Sequence, residues 1–160
     1  MSRYIRPRVP GASVFFTVAL CNRNSQLLVD EVAALRDVVR ITRKERPFQI
    51  DAWVVLPDHL HALWTLPEGD ADYSTRWRLI KARFSRGLPA GPQRLSHQLR
   101  QERGIWRRRF WERHIRNEAD FAAHLRYCWI NPVKHGLVEK PEDWPYSSVH
   151  RDIRDGRYGW

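Results

Sequence analysis

Residues 48–66 read FQIDAWVVLPDHLHALWTL, and this stretch decides the fold. Phe48 to Leu56 and His59 to Leu66 are apolar runs of strand length, and only Pro57-Asp58 separates them. So short a connection cannot carry a parallel crossover, so the pair is predicted to be an antiparallel hairpin. Side chains alternate along a strand, which sends His59 and His61 to one face and Leu60 to the other. Two imidazoles about two strand residues apart can share one divalent ion. The same pair can equally be hydrogen-bonded histidines on a half-buried strand, and two ligands alone do not close a metal site.

Working outward, Ser13 to Cys21 (SVFFTVALC) is β-branched and aromatic and reads as a first strand. Asp30 is a candidate N-cap, followed by Val32, Leu35, Val38, Val39 and Thr42 at helical spacing towards Lys44. Downstream of the hairpin, Tyr73-Ser74 precedes a basic amphipathic segment from Trp77 to Arg86. The stretch around 86–104 reads as an insertion, with a loop at 87–92 and a polar, basic run from Ser96 to Arg103. Trp106 to Ile115 (WRRRFWERHI) alternates and is a fourth strand candidate. Asn117-Glu118-Ala119-Asp120 starts a helix, with acidic residues in its first turn. That helix is expected to end near Asn131, because Pro132 biases the preceding residue out of helix. The order β, α, β, β, α, β, α predicts one α+β domain over residues 1–160, a ferredoxin-like sandwich with a central antiparallel sheet and packed helices.

Composition narrows the partners. The 160 residues include 28 Lys plus Arg against 18 Asp plus Glu, a net charge of +10, and the pI is near 10.4. A polyanion is the first partner to expect, nucleic acid ahead of a lipid surface. A hydrophobic share of 42% argues against disorder, and no apolar run is long enough to span a bilayer. The stretch from Val14 to Cys21 superficially imitates a signal peptide after Arg3, Arg6 and Arg8. Pro10-Gly11, Thr17 and the lack of a small-x-small site point instead to a strand in a cytoplasmic protein. Cys21 and Cys128 have no CxxC spacing, which indicates neither a disulfide framework nor a cysteine zinc site.

The last predicted helix offers partners for the histidines. Tyr127 and Asn131 are four residues apart and so share a helical face. An amide oxygen is a hard ligand and a phenol is a nucleophile. If that face lies over the third strand, two imidazoles, a carboxamide oxygen and a tyrosine converge. Taken singly, Tyr127 can be a core residue and Asn131 a C-terminal helix cap.

DHLHALWTLPEG, RRFWERHIRNEADFAAHLRYCWINPVKHGLV and DWPYSSVHRD, in that order, resemble the HUH, tyrosine-helix and tail segments of the REP-associated tyrosine transposases, relatives of the insertion-sequence tyrosine transposases. The resemblance runs from about Ser13 to Arg151 and departs chiefly between Arg86 and Gly104. It implies a single-strand DNA endonuclease and strand transferase acting at REP (BIME) hairpins through a 5′-phosphotyrosine intermediate. Tyr127 matches the nucleophile, His59 and His61 the metal ligands, and Asn131 the third, polar ligand. The implied cofactor is a divalent metal, Mg²⁺ or Mn²⁺, although two imidazoles also admit zinc. The implied partner is single-stranded DNA carrying a REP-type hairpin, with no membrane, bound by a monomer.

The positive charge then has a use. Arg3, Arg6, Arg8, Arg43, Lys44, Lys81, Arg83, Arg107, Arg108 and Arg109 are the candidate DNA-binding residues, and Trp106, Trp111 and Trp129 are candidates for base stacking. Core packing is the competing role for most of the eight tryptophans. Two rival functions are a hairpin DNA or RNA binding module without cleavage activity and a metal-dependent hydrolase. His114, His124, His135 and His150 receive no role.

Overall fold

The computed structural model describes residues 4–86, 88 and 104–159. Its elements run β1 (Ser13–Ala19), α1 (Leu27–Asp30), α2 (Val32–Glu45), β2 (Gln49–Val55), β3 (His59–Thr65), α3 (Tyr73–Ser85), β4 (Trp111–His114), α4 (Glu118–Lys134), a short 3-10 turn (Pro141–Asp143) and α5 (Val149–Arg154). The four strands form one sheet in the order β2-β3-β1-β4 with every pairing antiparallel. This is the expected α+β sandwich, and the hairpin at Pro57-Asp58 is where the sequence puts it.

Strand alternation divides the core between two faces. Val14, Phe16 and Val18 of β1 join Leu60, Ala62 and Trp64 of β3 beneath α2 and α3. There the indoles of Trp64 and Trp77 stack with centroids 4.4 Å apart and planes 12° from parallel. Both are fully buried and neither indole N–H has an acceptor, so their contribution is apolar burial and stacking, about 1.5–3 kcal/mol or more per ring. Phe15, Ala52, Val54 and Leu63 face the other way and meet Cys128, Leu125 and Tyr127 of α4. His59 and His61 share that second face with Leu63, as the two-residue period requires.

Several boundaries differ from the sequence reading, each for a physical reason. Asp30 does not cap α2. It ends α1, and α2 begins after Glu31 with no side-chain cap. Asn117 does cap α4, its side chain accepting from the Asp120 N–H at 2.8 Å. Pro132 does not end that helix, which continues to Lys134. Burial of Cys128, Trp129, Asn131 and Pro132 against the sheet outweighs the missing N–H. The fourth strand is confined to Trp111–His114. Leu20 bridges Trp106 and Thr17 pairs with Trp111, so the segment 106–111 spends two more residues than β1 between the same rungs. That bulge begins at Arg107, whose N–H still bonds the Ala19 carbonyl of β1, and it presents the Arg107, Arg108 and Arg109 side chains to solvent. The expected loop at 87–92 and polar run at 96–103 fall, apart from Leu88, outside the described residues.

The tail seals the outer edge of β2. The Val55 N–H donates to the Tyr146 carbonyl at 2.8 Å, and the Ser148 N–H donates to the Trp53 carbonyl at 2.7 Å. Trp144 donates its indole N–H to the Val55 carbonyl, and Trp129 of α4 donates to the buried Asp152 carboxylate of α5 at 2.8 Å.

Candidate active site

β3 is a central strand, so a side chain on it is held by neighbours on both sides. His59 and His61 are both buried, with ring centroids 5.0 Å apart. Each ring is oriented from behind through Nδ1. His59 Nδ1 lies 2.8 Å from Asp58 Oδ1, and His61 Nδ1 lies 2.8 Å from Thr17 Oγ1 on β1. With Nδ1–H donating to Asp58, the Nε2 lone pair of His59 is left for a ligand, the arrangement that holds metal-binding imidazoles. The Asp58 carboxylate also accepts from Arg23 Nε at 2.6 Å. Burial raises the Asp58 carboxyl, but the hydrogen bonds from His59 and Arg23 outweigh it and hold it below its ordinary value.

Burial sets the charge of the imidazoles. It pushes His61 down to about 3, and the nearby Lys134 ammonium and Arg23 guanidinium push the same way. It also lowers His59, against the pull of the Asp58 carboxylate. Neutral imidazole is the form that ligates. His61 Nε2 is buried and has no hydrogen-bond partner.

α4 lies over these rings. The Tyr127 ring is 5.2 Å from that of His61, edge to face, and the His135 ring is 5.2 Å from that of His59. Asn131 is midway between Tyr127 and His135 on the same helical face. It is fully buried, and neither its Oδ1 nor its Nδ2 has a partner. This removes the helix-cap reading, because the helix passes through Asn131 and only its main-chain carbonyl serves the C-terminus, accepting from the His135 N–H. Among the described residues no three His, Cys, Asp or Glu side chains form a metal-binding group. If the two imidazoles hold an ion, a third ligand from this chain would be of another kind, and a buried carboxamide with an unpartnered oxygen is chemically suited to it.

Tyr127 is only half-buried, and the Lys134 ammonium lies 5.1 Å from its ring centroid. Phe15 packs between the groups, stacked on His61 at 5.5 Å and edge-on to Tyr127 at 5.7 Å. Tyr73 sits on the opposite face of the sheet, with its hydroxyl donating to the Pro7 carbonyl at 2.7 Å and burial raising it to about 12.

The basic residues do not form one surface. Arg107, Arg108, Arg109 and Arg8 are exposed. Arg6 is engaged by the Glu112 carboxylate and lies 3.8 Å above the Phe110 ring. Lys81 donates to the Arg107 and Arg108 carbonyls, which ties α3 to the bulge. Arg43, Lys44 and Arg83 belong to the α2–α3 layer behind the sheet, where Arg43 donates to the Phe48 carbonyl and Arg83 pairs with Glu45. Arg3 lies outside the described residues. Trp106 and Trp129 are buried, which removes them as stacking surfaces, whereas Trp111 is exposed. Sequence reasoning missed Asp58, Thr17, Lys134 and His135. The Asp immediately before the first histidine was a usable signal, and the cross-strand Thr17 was not.

Comparison with known proteins bears on this arrangement. A scan against protein-family models finds no match. The chain is 47% identical over 158 residues to a REP-associated tyrosine transposase of Escherichia coli, covering 99% of this chain and 88% of that protein. It is 44% identical over 156 residues to a Haemophilus influenzae protein assigned to the same family, covering 96% and 89%. The solved structure of a REP-associated tyrosine transposase bound to a REP hairpin superposes with a TM-score of 0.87 at 46% identity, covering 99% of this chain and 89% of that one. A candidate transposase from Deinococcus radiodurans shares the fold, with a TM-score of 0.50 at 22% identity over 79% of this chain and 95% of that one. The fold and its likenesses place the chain among the transposases, as an enzyme. Within them, it belongs to the REP-associated tyrosine transposase family.

Proposed function

We propose that the chain is a metal-dependent single-strand DNA endonuclease and strand transferase that acts on REP-type hairpins through a 5′-phosphotyrosine intermediate. The observation that carries this reading is the 5.2 Å contact between the rings of Tyr127 and His61, beside two buried polar side chains with unpartnered atoms. The imidazoles of His59 and His61 and the carboxamide oxygen of Asn131 would hold Mg²⁺ or Mn²⁺. When bound, that ion polarises the scissile phosphate and offsets charge on the departing oxygen.

The chain's own groups do the rest. Tyr127 Oη loses its proton and forms a bond to phosphorus, the P–O3′ bond breaks, and the 3′ oxygen takes up a proton. The products are a 5′-phosphotyrosine and a free 3′-hydroxyl, and attack by a 3′-hydroxyl reverses the chemistry to complete strand transfer. A phenol is a weak nucleophile at neutral pH, and the Lys134 ammonium beside the ring favours the charge that develops there. Arg8, Arg107, Arg108 and Arg109 are exposed cations that meet the DNA backbone, while Arg43, Lys44 and Arg83, in the α2–α3 layer behind the sheet, add to the long-range field. The protein works as a cytoplasmic monomer on chromosomal DNA.

The test is incubation of the full chain with hairpin oligonucleotides bearing single-stranded flanks, in Mn²⁺ or Mg²⁺, followed by denaturing electrophoresis. A covalent adduct that maps to the Tyr127 peptide is expected. Tyr127→Phe should keep the fold and hairpin affinity and lose the adduct. Cleavage without an adduct, binding without cleavage, or an adduct that survives in Tyr127→Phe would overturn the reading.

A further inference from the structure

β4 presents its side chains alternately. Glu112 turns to the α2–α3 side, where it is buried and accepts from the Tyr4 hydroxyl at 2.6 Å. Trp111 turns to the face that carries the histidines, opposite Thr17 in the ladder. It is 54% exposed, and among the described residues it is the one tryptophan in the exposed class. An indole left that open gains little from the core, and its face is free to take a planar partner.

The surroundings say which partner. Trp111 meets Phe15 edge-on at 6.0 Å, and Phe15 in turn touches Tyr127 and His61. The open indole is therefore one aromatic ring away from the candidate nucleophile. Immediately upstream, the bulge projects Arg107, Arg108 and Arg109 into solvent, and it is anchored by the Arg107 N–H donating to the Ala19 carbonyl at 2.9 Å. Three exposed guanidiniums leading into an exposed indole suit a charged backbone with planar bases. A protein partner would favour an apolar centre depleted of charge, whereas here three guanidiniums adjoin the indole.

We propose that Trp111 is a stacking platform for one unpaired nucleobase of the single strand that flanks the hairpin, holding the adjoining phosphate over Tyr127. This rests on the strand-transfer reading above and adds the contact that sets which phosphate is presented.

The experiment uses the full chain and a hairpin oligonucleotide with 2-aminopurine placed at successive flank positions, in chelator so that nothing is cut. Quenching at one or two adjacent positions is expected with the native protein and with Trp111→Phe, and none with Trp111→Leu, which keeps apolar volume without the aromatic face. Trp111→Leu should bind the flanked hairpin about 5- to 150-fold more weakly, the range for loss of one stacked base, and a hairpin trimmed of its flanks as well as the native protein does. Thermal unfolding and light scattering check that it folds and has the native mass. Equal affinity of Trp111→Leu for the flanked hairpin, equal loss on the trimmed one, or a change of mass would overturn the platform, the last pointing to a second copy on the β4 edge. Failure of adduct formation with metal, by contrast, counts against the strand-transfer reading while the quenching still reports on Trp111.

Discussion

The Thr17 hydroxyl lies 2.8 Å from Nδ1 of His61, across the β1–β3 ladder in which the two residues are direct partners. When that Nδ1 donates to the hydroxyl, Nε2 keeps its lone pair on the side facing α4. Thr17→Val keeps the shape and removes the acceptor. Divalent-ion affinity, measured by titration calorimetry with Mn²⁺, should fall about 10- to 100-fold, while hairpin affinity in chelator stays at the native level.

Asn131 should separate stability from function. Leaving a buried amide unpartnered costs about 1–3 kcal/mol for each unsatisfied group, so an apolar residue of similar size is tolerated there. Asn131→Leu is expected to leave metal-free unfolding in urea unchanged or make it about 1 kcal/mol harder. The rise in Tm that Mn²⁺ produces in the native protein should disappear. A variant that unfolds more easily without metal would return Asn131 to a structural role.

Acid sensitivity has a local source in Arg76. Its guanidinium is buried and donates to the Arg46, Pro47 and Asp72 carbonyls and to both oxygens of Asp70. Those hydrogen bonds pull Asp70 down to about 2. A carboxyl lowered on folding contributes stability that is complete above its unfolded value near 4 and fades as pH falls towards 2. Urea unfolding at pH 5 and at pH 2.5 should therefore show a loss that Asp70→Asn partly abolishes. Arg76→Leu orphans three carbonyls and should cost about 3 kcal/mol at neutral pH.

Neutralising the bulge should change how binding responds to salt. With Arg107, Arg108 and Arg109 all replaced by Ala, the log–log salt slope for a flanked hairpin should become shallower by about two, each phosphate contact on single-stranded DNA contributing about 0.7. Fluorescence anisotropy between 50 mM and 300 mM salt reads this directly, and an unchanged slope would put the DNA elsewhere.

The β2–β3 hairpin was legible because a two-residue period and a Pro-Asp break are local properties, and so was the shared face of His59 and His61. The helix carrying Tyr127 and Asn131 was also legible, its start through the Asn117 cap. Its end was not. Pro132 is a local stop signal, and tertiary burial that no window of sequence contains overrode it. That error had a consequence, since ending the helix at Asn131 hid Lys134 and His135, which come into register with the site only if the helix continues. Thr17 was invisible for a different reason, because a cross-strand hydrogen bond depends on strand register. The arginines show the same limit, because charge counts do not say which layer a residue occupies.

One helix face carries Tyr127, Asn131 and His135, and the helix is fixed at both ends, by the Asn117 cap next to β4 and by Trp129 on Asp152. Sliding such a helix by one residue would shift it about 1.5 Å and turn it about 100°, removing the phenol and the carboxamide from the histidines together. The site is thus keyed like a lock with its teeth cut on a single bar. An insertion between Tyr127 and Asn131 would uncouple the proposed nucleophile from the proposed ligand, whereas the loops that join other elements can vary in length without touching that coupling. On the proposed reading, a displacement of this one helix would withdraw the nucleophile and the third ligand together, so the two roles would be lost or kept as a unit.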